Sequence, residues 1–294
     1  MSGPWDRGPR PPRPPGGAPR SRPAPAGPRA PRRDTTEPAA PGGTAAQARR
    51  PARREELRLY GLNAVDAVFR RRPEAIRKVY LAEARIPVLK PLLAWCVKHR
   101  VGYRVVADED LERLAASAHH EGVVADVQRT APLPLQDWLA SLAPGAPALA
   151  LWLDGVGNPH NFGAILRSAA HFGAAVLLPP ASELALSGAA ARVAEGGAEA
   201  VPLVRLPQTG AALDALRGAG FQLAATVVRG GDSLFDTALP PRLVYVMGAE
   251  GEGMDPALAA ACDRRLSIPG TGAVESLNVA AATAVFLARW AARG

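Results

Sequence analysis

The feature that most constrains this chain is the rhythm of its C-terminal half, where short apolar runs alternate with helical patterns from Ala148 onward. The runs are Ala148 to Leu153, Ala175 to Leu178, Pro202 to Arg205, Gln222 to Val228, Leu243 to Met247 and Arg265 to Ile268. Hydrophobic strands separated by helices predict an α/β class in which a mostly parallel sheet is covered by helices. In open sheets of this kind, ligands gather at the carboxyl ends of the strands. The chemistry is therefore sought in the loops that follow strands.

The half before it reads differently. Order is expected to begin near Leu57, with a helical pattern through Phe69 and a strand over Lys78 to Leu81. A helix over Val88 to His99, a strand over Tyr103 to Val106, a helix over Asp108 to Ala115 and a strand from Gly122 to Ala125 complete a small α/β domain, placed at 57–128. A Pro-containing link, 129–147, precedes the larger domain at 148–294. Residues 1–56 are Pro, Arg, Gly and Ala with few large apolar side chains, too little to offset ordering entropy, and are expected to be disordered.

The net charge of +8 suggests nucleic acid, but its location qualifies that signal. Residues 1–56 hold 12 Arg against 5 Asp and Glu, leaving 23 basic and 22 acidic residues in the remainder. The basicity belongs to the leader, read either as a solubilising segment or as an arm making nonspecific phosphate contacts. Cys96 and Cys262 stand far apart with no CxxC pair and no neighbouring ligand set, so no metal is expected and the thiols are expected to be reduced. No apolar run of signal-peptide or membrane-spanning length is present, and the reading is of a cytoplasmic protein with no membrane partner.

Three segments join a strand to a glycine-containing loop. The first, Leu153 to Ser168, runs into a helix and carries Asn161 and Arg167 six residues apart, expected on broadly one flank. Arg167 offers a planar fork suited to phosphate or an oxyanion. Taken alone, Asn161 reads equally as a helix cap and Arg167 as a solvated charge. The second, Val244 to Met254, empties a buried strand into Gly248, Gly251 and Gly253, whose backbone can approach a ligand closely. Its spacing matches neither GxGxxG nor GxxxxGK[ST], which argues against a nicotinamide-dependent dehydrogenase and a phosphate-binding loop. The third, Leu266 to Ala282, places Ser276 and Asn278 on either side of Leu277 before a last apolar helix reaching Trp290.

Together and in this order, the segments resemble the SpoU (TrmH) family of RNA 2'-O-ribose methyltransferases, within the SPOUT superfamily. The resemblance rests on Asn161-x-Gly163-x-x-x-Arg167-Ser168, on Gly248-x-Glu250-x-x-Gly253, and on Ile268-Pro269 with Ser276-Leu277-Asn278-Val279. It covers about 148 to 294. The preceding domain is similar to that family's accessory RNA-binding domain, from Tyr60-Gly61 to His120-Glu121-Gly122-Val123-Val124. Two departures stand out: Asn158 where Asp is frequent, and Glu195-Gly196-Gly197-Ala198 where a Ser-containing Gly-Ala turn is common.

The resemblance implies a deep trefoil knot in the C-terminal sheet, a homodimer, and S-adenosylmethionine as methyl donor. It implies an RNA substrate, large-subunit ribosomal guanosine favoured over transfer RNA. Met247, Gly248, Gly253, Ile268, Gly270, Leu277 and Val279 would wrap the cofactor. Arg167 would be the central catalytic group, supported by Asn161, Glu250, Ser276 and Asn278. A rival class is a noncatalytic RNA-binding protein that keeps the fold. His160 and the pair His119-His120 invite catalytic readings, but no carboxylate or nucleophile stands at recognisable spacing from them.

Overall fold

The computed structural model describes residues 56–180, 182, 186–249, 251 and 253–292. The leader lies outside the described residues except for Glu56, and so does Glu250.

The chain first builds a four-stranded sheet. β1 (Glu56–Tyr60) leads through α1 (Leu62–Arg71) to β2 (Ile76–Leu81), then α2 (Ile86–His99), β3 (Gly102–Val105), α3 (Asp108–Ala115) and β4 (Val123–Gln128). The spatial order is β1-β4-β2-β3, with β4 antiparallel to both β1 and β2, and β3 parallel to β2. Leu57, Leu59, Val79, Leu81, Val123, Ala125 and Val127 turn one way, into a core closed by α1 and α2. Tyr60, Val124 and Tyr80 turn the other way, under Leu111 of α3. This alternation is the period-two pattern of a sheet whose faces differ.

The segment expected as a link carries structure of its own. β5 (Leu133–Pro134) and α4 (Leu135–Ser141) occupy it, and Leu135 and Trp138 are buried in the larger unit, with the Trp138 ring 5.6 Å from Phe221. Burial of two large apolar side chains outweighs the turn-forming tendency of the prolines around them.

The remaining elements are β6 (Ala148–Leu153), α5 (Pro159–Phe172), β7 (Ala175–Leu178), α6 (Gly188–Val193), β8 (Leu203–Arg205), α7 (Thr209–Gly218) and β9 (Gln222–Thr226). After them come β10 (Asp232–Ser233), β11 (Arg242–Met247), α8 (Pro256–Ala261), β12 (Arg264–Ser267) and α9 (Val279–Ala291). The order β10-β12-β9-β11-β6-β7-β8-β5 is parallel at every pairing, as the alternating pattern predicts. All six residues of β6 are buried. Leu149, Leu151 and Leu153 face α5, α6 and α9, whereas Ala148, Ala150 and Trp152 face α4, α7 and α8. Three layers result, with the sheet in the middle.

Strand order reverses between β6, which pairs with its successor β7, and β11, which arrives from much later in the chain. Such a switch point opens a crevice beyond the carboxyl ends of the two strands. The first two glycine-containing segments leave from these ends, and the third leaves β12.

Candidate functional site

The loop after β6 is tied down by its neighbour. Asp154 donates its N–H to the Met247 carbonyl at 2.8 Å, and its carboxylate accepts the Asp255 N–H at 2.8 Å. Asp154 has no part in the motifs read from the sequence, because its role is to join two loops distant along the chain. The loop ends at Asn158, whose side chain accepts from the His160 and Asn161 amides and caps α5, with Pro159 at the first helical position. Asn158 therefore does the capping for which Asn161 was the candidate. An Asn-Pro pair ahead of an apolar helix is the signal that marks it.

Freed from capping, Asn161 meets the third segment. Its Oδ1 accepts a hydrogen bond from the Asn278 amide at 3.0 Å. Asn278 caps α9 through the Ala280 and Ala281 N–H groups, so one side chain fixes the start of the last helix and reaches the first segment. Ser276 lies in the exposed loop just before it.

Arg167 leaves α5 elsewhere. Six residues advance a helix by about 600°, so Asn161 and Arg167 diverge by roughly 120° and do not share a flank as expected. Arg167 is exposed, and among the described residues it makes no ion pair or hydrogen bond. Its field reaches Glu195, whose carboxyl is held below the usual range. The Asn63 hydrogen bond is the main cause, partly opposed by burial and reinforced by Arg192 and Arg167.

Two glycines of the motifs answer to close packing. A Cβ on Gly163 would fall 2.5 Å from the Ala190 carbonyl oxygen, so this glycine lets α5 and α6 touch. A Cβ on Gly248 would fall 2.6 Å from the Gly253 carbonyl carbon, across a turn closed by the Ala249 and Gly253 backbone at 2.8 and 3.1 Å. A Cβ on Gly251, Gly253, Gly270 or Gly272 would meet nothing within 4 Å. Leu277 is half exposed, Ile268 is partly buried, and the Met247 and Val279 side chains belong to the core.

The other candidates separate cleanly. His120 is buried and its Nδ1 accepts the Gly122 N–H at 3.0 Å, a loop-structuring role. Burial, aided by Asp263, pushes the Cys262 thiol up to about 11, and burial raises Cys96 as well. Neither is an activated nucleophile. Among the described residues, no group of three His, Cys, Asp or Glu side chains is arranged to hold a metal ion, and no helix is long and apolar enough to cross a membrane.

Residues 148–288 match the model of the SpoU rRNA Methylase family, and residues 58–133 match that of the RNA 2'-O ribose methyltransferase substrate binding domain. The chain is 38% identical over 241 residues to YfiF of Escherichia coli O157:H7, named as an uncharacterized tRNA/rRNA methyltransferase, covering 82% of this chain and 69% of that one. It is 37% identical over 232 residues to the 23S rRNA (guanosine-2'-O-)-methyltransferase RlmB of Haemophilus influenzae, covering 78% and 94%. Among solved structures, the SpoU methyltransferase AviRb from Streptomyces viridochromogenes, in complex with AdoMet, shares the fold with a TM-score of 0.67 at 24% identity, covering 84% of this chain and 93% of that one. With its three motif segments brought to one sheet edge and both family models matched in order, the chain belongs to the SpoU rRNA methylase family.

Proposed function

We propose that this protein transfers a methyl group from S-adenosylmethionine to a ribose 2'-hydroxyl of structured RNA, with a guanosine of large-subunit ribosomal RNA favoured over transfer RNA. The observation that carries the reading is Arg167, an exposed guanidinium without an ion-pair partner among the described residues, on the same helix that meets Asn278 through Asn161. The RlmB name of a relative aligned over nearly its whole length supports the ribosomal preference.

The open space at Gly251, Gly253 and Gly270 and the half-exposed Leu277 fit a cofactor that has a flat adenine and a polar edge. The backbone of Met247, Gly248, Gly253, Ile268, Gly270, Leu277 and Val279 would hold it. S-adenosylmethionine would supply an electrophilic methyl group at its sulfonium. Arg167 binds the phosphate of the target nucleotide and stabilises negative charge developing on the 2'-oxygen. A guanidinium stays protonated at any physiological pH, so it cannot take the hydroxyl proton, which passes to solvent or to a phosphate oxygen. Asn161, Glu250, Ser276 and Asn278 form the hydrogen-bonding network that aligns the ribose for in-line attack.

The domains at 57–128 and 148–294 divide the work, the first binding RNA and the second carrying the chemistry. The C-terminal sheet is knotted as a deep trefoil, a reading supported by α9, which returns from beyond β12 to pack on α5 and its core. The protein works in the cytoplasm as a homodimer.

Arg167→Ala tests the assignment with labelled cofactor and total RNA. Methylation is expected to fall by at least about 10²-fold, the loss typical for one charge-stabilising group, while cofactor affinity measured by calorimetry stays near the parent value. A fully active variant refutes the role. Comparing 2'-O-methyl sites in RNA from a deletion strain and its parent identifies the nucleotide.

A further inference from the structure

Among the described residues outside the motif segments, charged side chains cluster where the small sheet meets α6 and the turn that follows it. Arg192 of α6 holds two carboxylates, Glu121 ahead of β4 and Glu195, the latter at 2.6 Å. Glu195 also accepts from the Asn63 amide at 2.5 Å, and Glu121 accepts the Leu62 N–H at 2.8 Å. Both ends of α1 are thereby engaged, because Arg72 just beyond it forks onto Glu199 at 2.6 and 2.7 Å. That Glu199 side chain is 9% exposed. Bidentate, largely desolvated pairs of this kind fix orientation as well as contact. Apolar packing runs beneath them: Ala191 is buried in the core of the small sheet, with Leu186 and Ala198 against it.

Glu121 and Glu195 share a second property. They are two of only four non-glycine residues with positive φ among the described residues, at 54° and 50°. Side chains rarely adopt that conformation, and it persists where the surroundings impose it. Here Arg192 links the two strained residues. The same turn is seated on the helix that carries Arg167: the space a Cβ would take on Gly197 is 2.9 Å from the Leu166 carbonyl oxygen and 3.1 Å from the Arg167 Cα.

We propose that Arg192 and Glu195 are positioning residues that clamp the RNA-binding domain onto α5, so that RNA held by the small domain meets Arg167 in one fixed orientation within a single chain. The inference rests on the RNA methyltransfer reading. A domain joined only by a tether raises the local concentration of its RNA, whereas a clamped domain also sets angle and distance. Glu195 opens the Glu195-Gly196-Gly197-Ala198 turn, which stands where a Ser-containing Gly-Ala turn is common in the family, and it closes the clamp on Asn63 and Arg192.

The test compares Glu195→Ala, Arg192→Ala and Arg192→Lys with the parent in full-length protein. Single-molecule energy transfer between dyes on Val97→Cys and Val228→Cys, both exposed positions on the two domains, is measured in a Cys262→Ala background. The parent is expected to give one narrow distribution and the alanine variants a broad one, with Arg192→Lys between them. For structured RNA, kcat/KM falls about 10- to 100-fold in the alanine variants, the scale of loss from a small misplacement of reacting groups. Cofactor affinity stays unchanged, which a general loss of folding would not allow. Alanine variants that keep the narrow distribution, or that broaden yet methylate RNA at the parent rate, overturn the proposal. A parent that methylates no RNA overturns the functional reading and the clamp's role with it, and is recognised before any variant is made.

Discussion

The two sheets of this protein solve different problems. In the eight-stranded sheet, β6 and β11 are buried almost throughout, and helices on both faces leave only the strand ends open. In the four-stranded sheet the last strand, β3, is exposed at every residue, with Tyr103, Arg104 and Val105 at the surface. The helix starts differ in the same way. α5, α6, α8 and α9 of the larger unit open on side-chain caps from Asn158, Ser187, Asp255 and Asn278, though α4 and α7 do not, whereas α1, α2 and α3 have none. Three of those caps stand in loops that leave β6, β11 and β12 at the crevice. A parallel sheet concentrates its irregular backbone at one edge, and capping holds that backbone in place for chemistry.

The largest test of this contrast is a matched pair of truncations. Trp152→Ala in β6 should cost about 3–5 kcal/mol, since it empties a fully enclosed site. Val105→Ala on β3 should stay within about 0.5 kcal/mol, as exposed changes usually do. Urea unfolding of both variants decides it, and similar losses would erase the distinction. A second pair compares glycines. Gly248→Ala forces its new methyl against the Gly253 backbone, so the turn must open, at about 1–3 kcal/mol for an overpacked site, with a matching loss of cofactor affinity by calorimetry. Gly102→Ala on β3 meets nothing within 4 Å and should leave both stability and affinity at the parent level. The smallest pair concerns caps. Asn158→Ala should lower stability by about 1 kcal/mol, and Ala107→Ser, which supplies a cap to α3, should raise it by a comparable amount. Thermal unfolding reads both, and a neutral Asn158→Ala would show that the crevice loop is held by Asp154 alone.

Much of this architecture is written locally. The strands over Ala148 to Leu153 and Ala175 to Leu178 occur where their patterns place them, because burial on two faces leaves an unbroken apolar run, and so does the helix over Asp108 to Ala115, whose acidic first turn and single buried Leu111 mark a half-exposed helix. β5 and α4 escaped notice, since two prolines and a short helix look like a link until Trp138 finds Phe221. The motif residues were legible as types in order along the chain, but not as contacts. Asn161 and Arg167 fit one flank by sequence separation, yet helical rotation sends one to Asn278 and the other towards Glu195.

The sequence by itself determined the class of the fold, the strands that feed the crevice, and the family through its three motif segments. Each depends on periodicity or on residue identity at short range. Tertiary structure alone decided that Asn161 meets Asn278, that Gly163 is required where α5 touches Ala190, and that Arg192 pairs with Glu121 and Glu195 with Asn63. Those outcomes join residues tens to more than a hundred positions apart, and no local pattern encodes the geometry that brings such distant groups to within 3 Å.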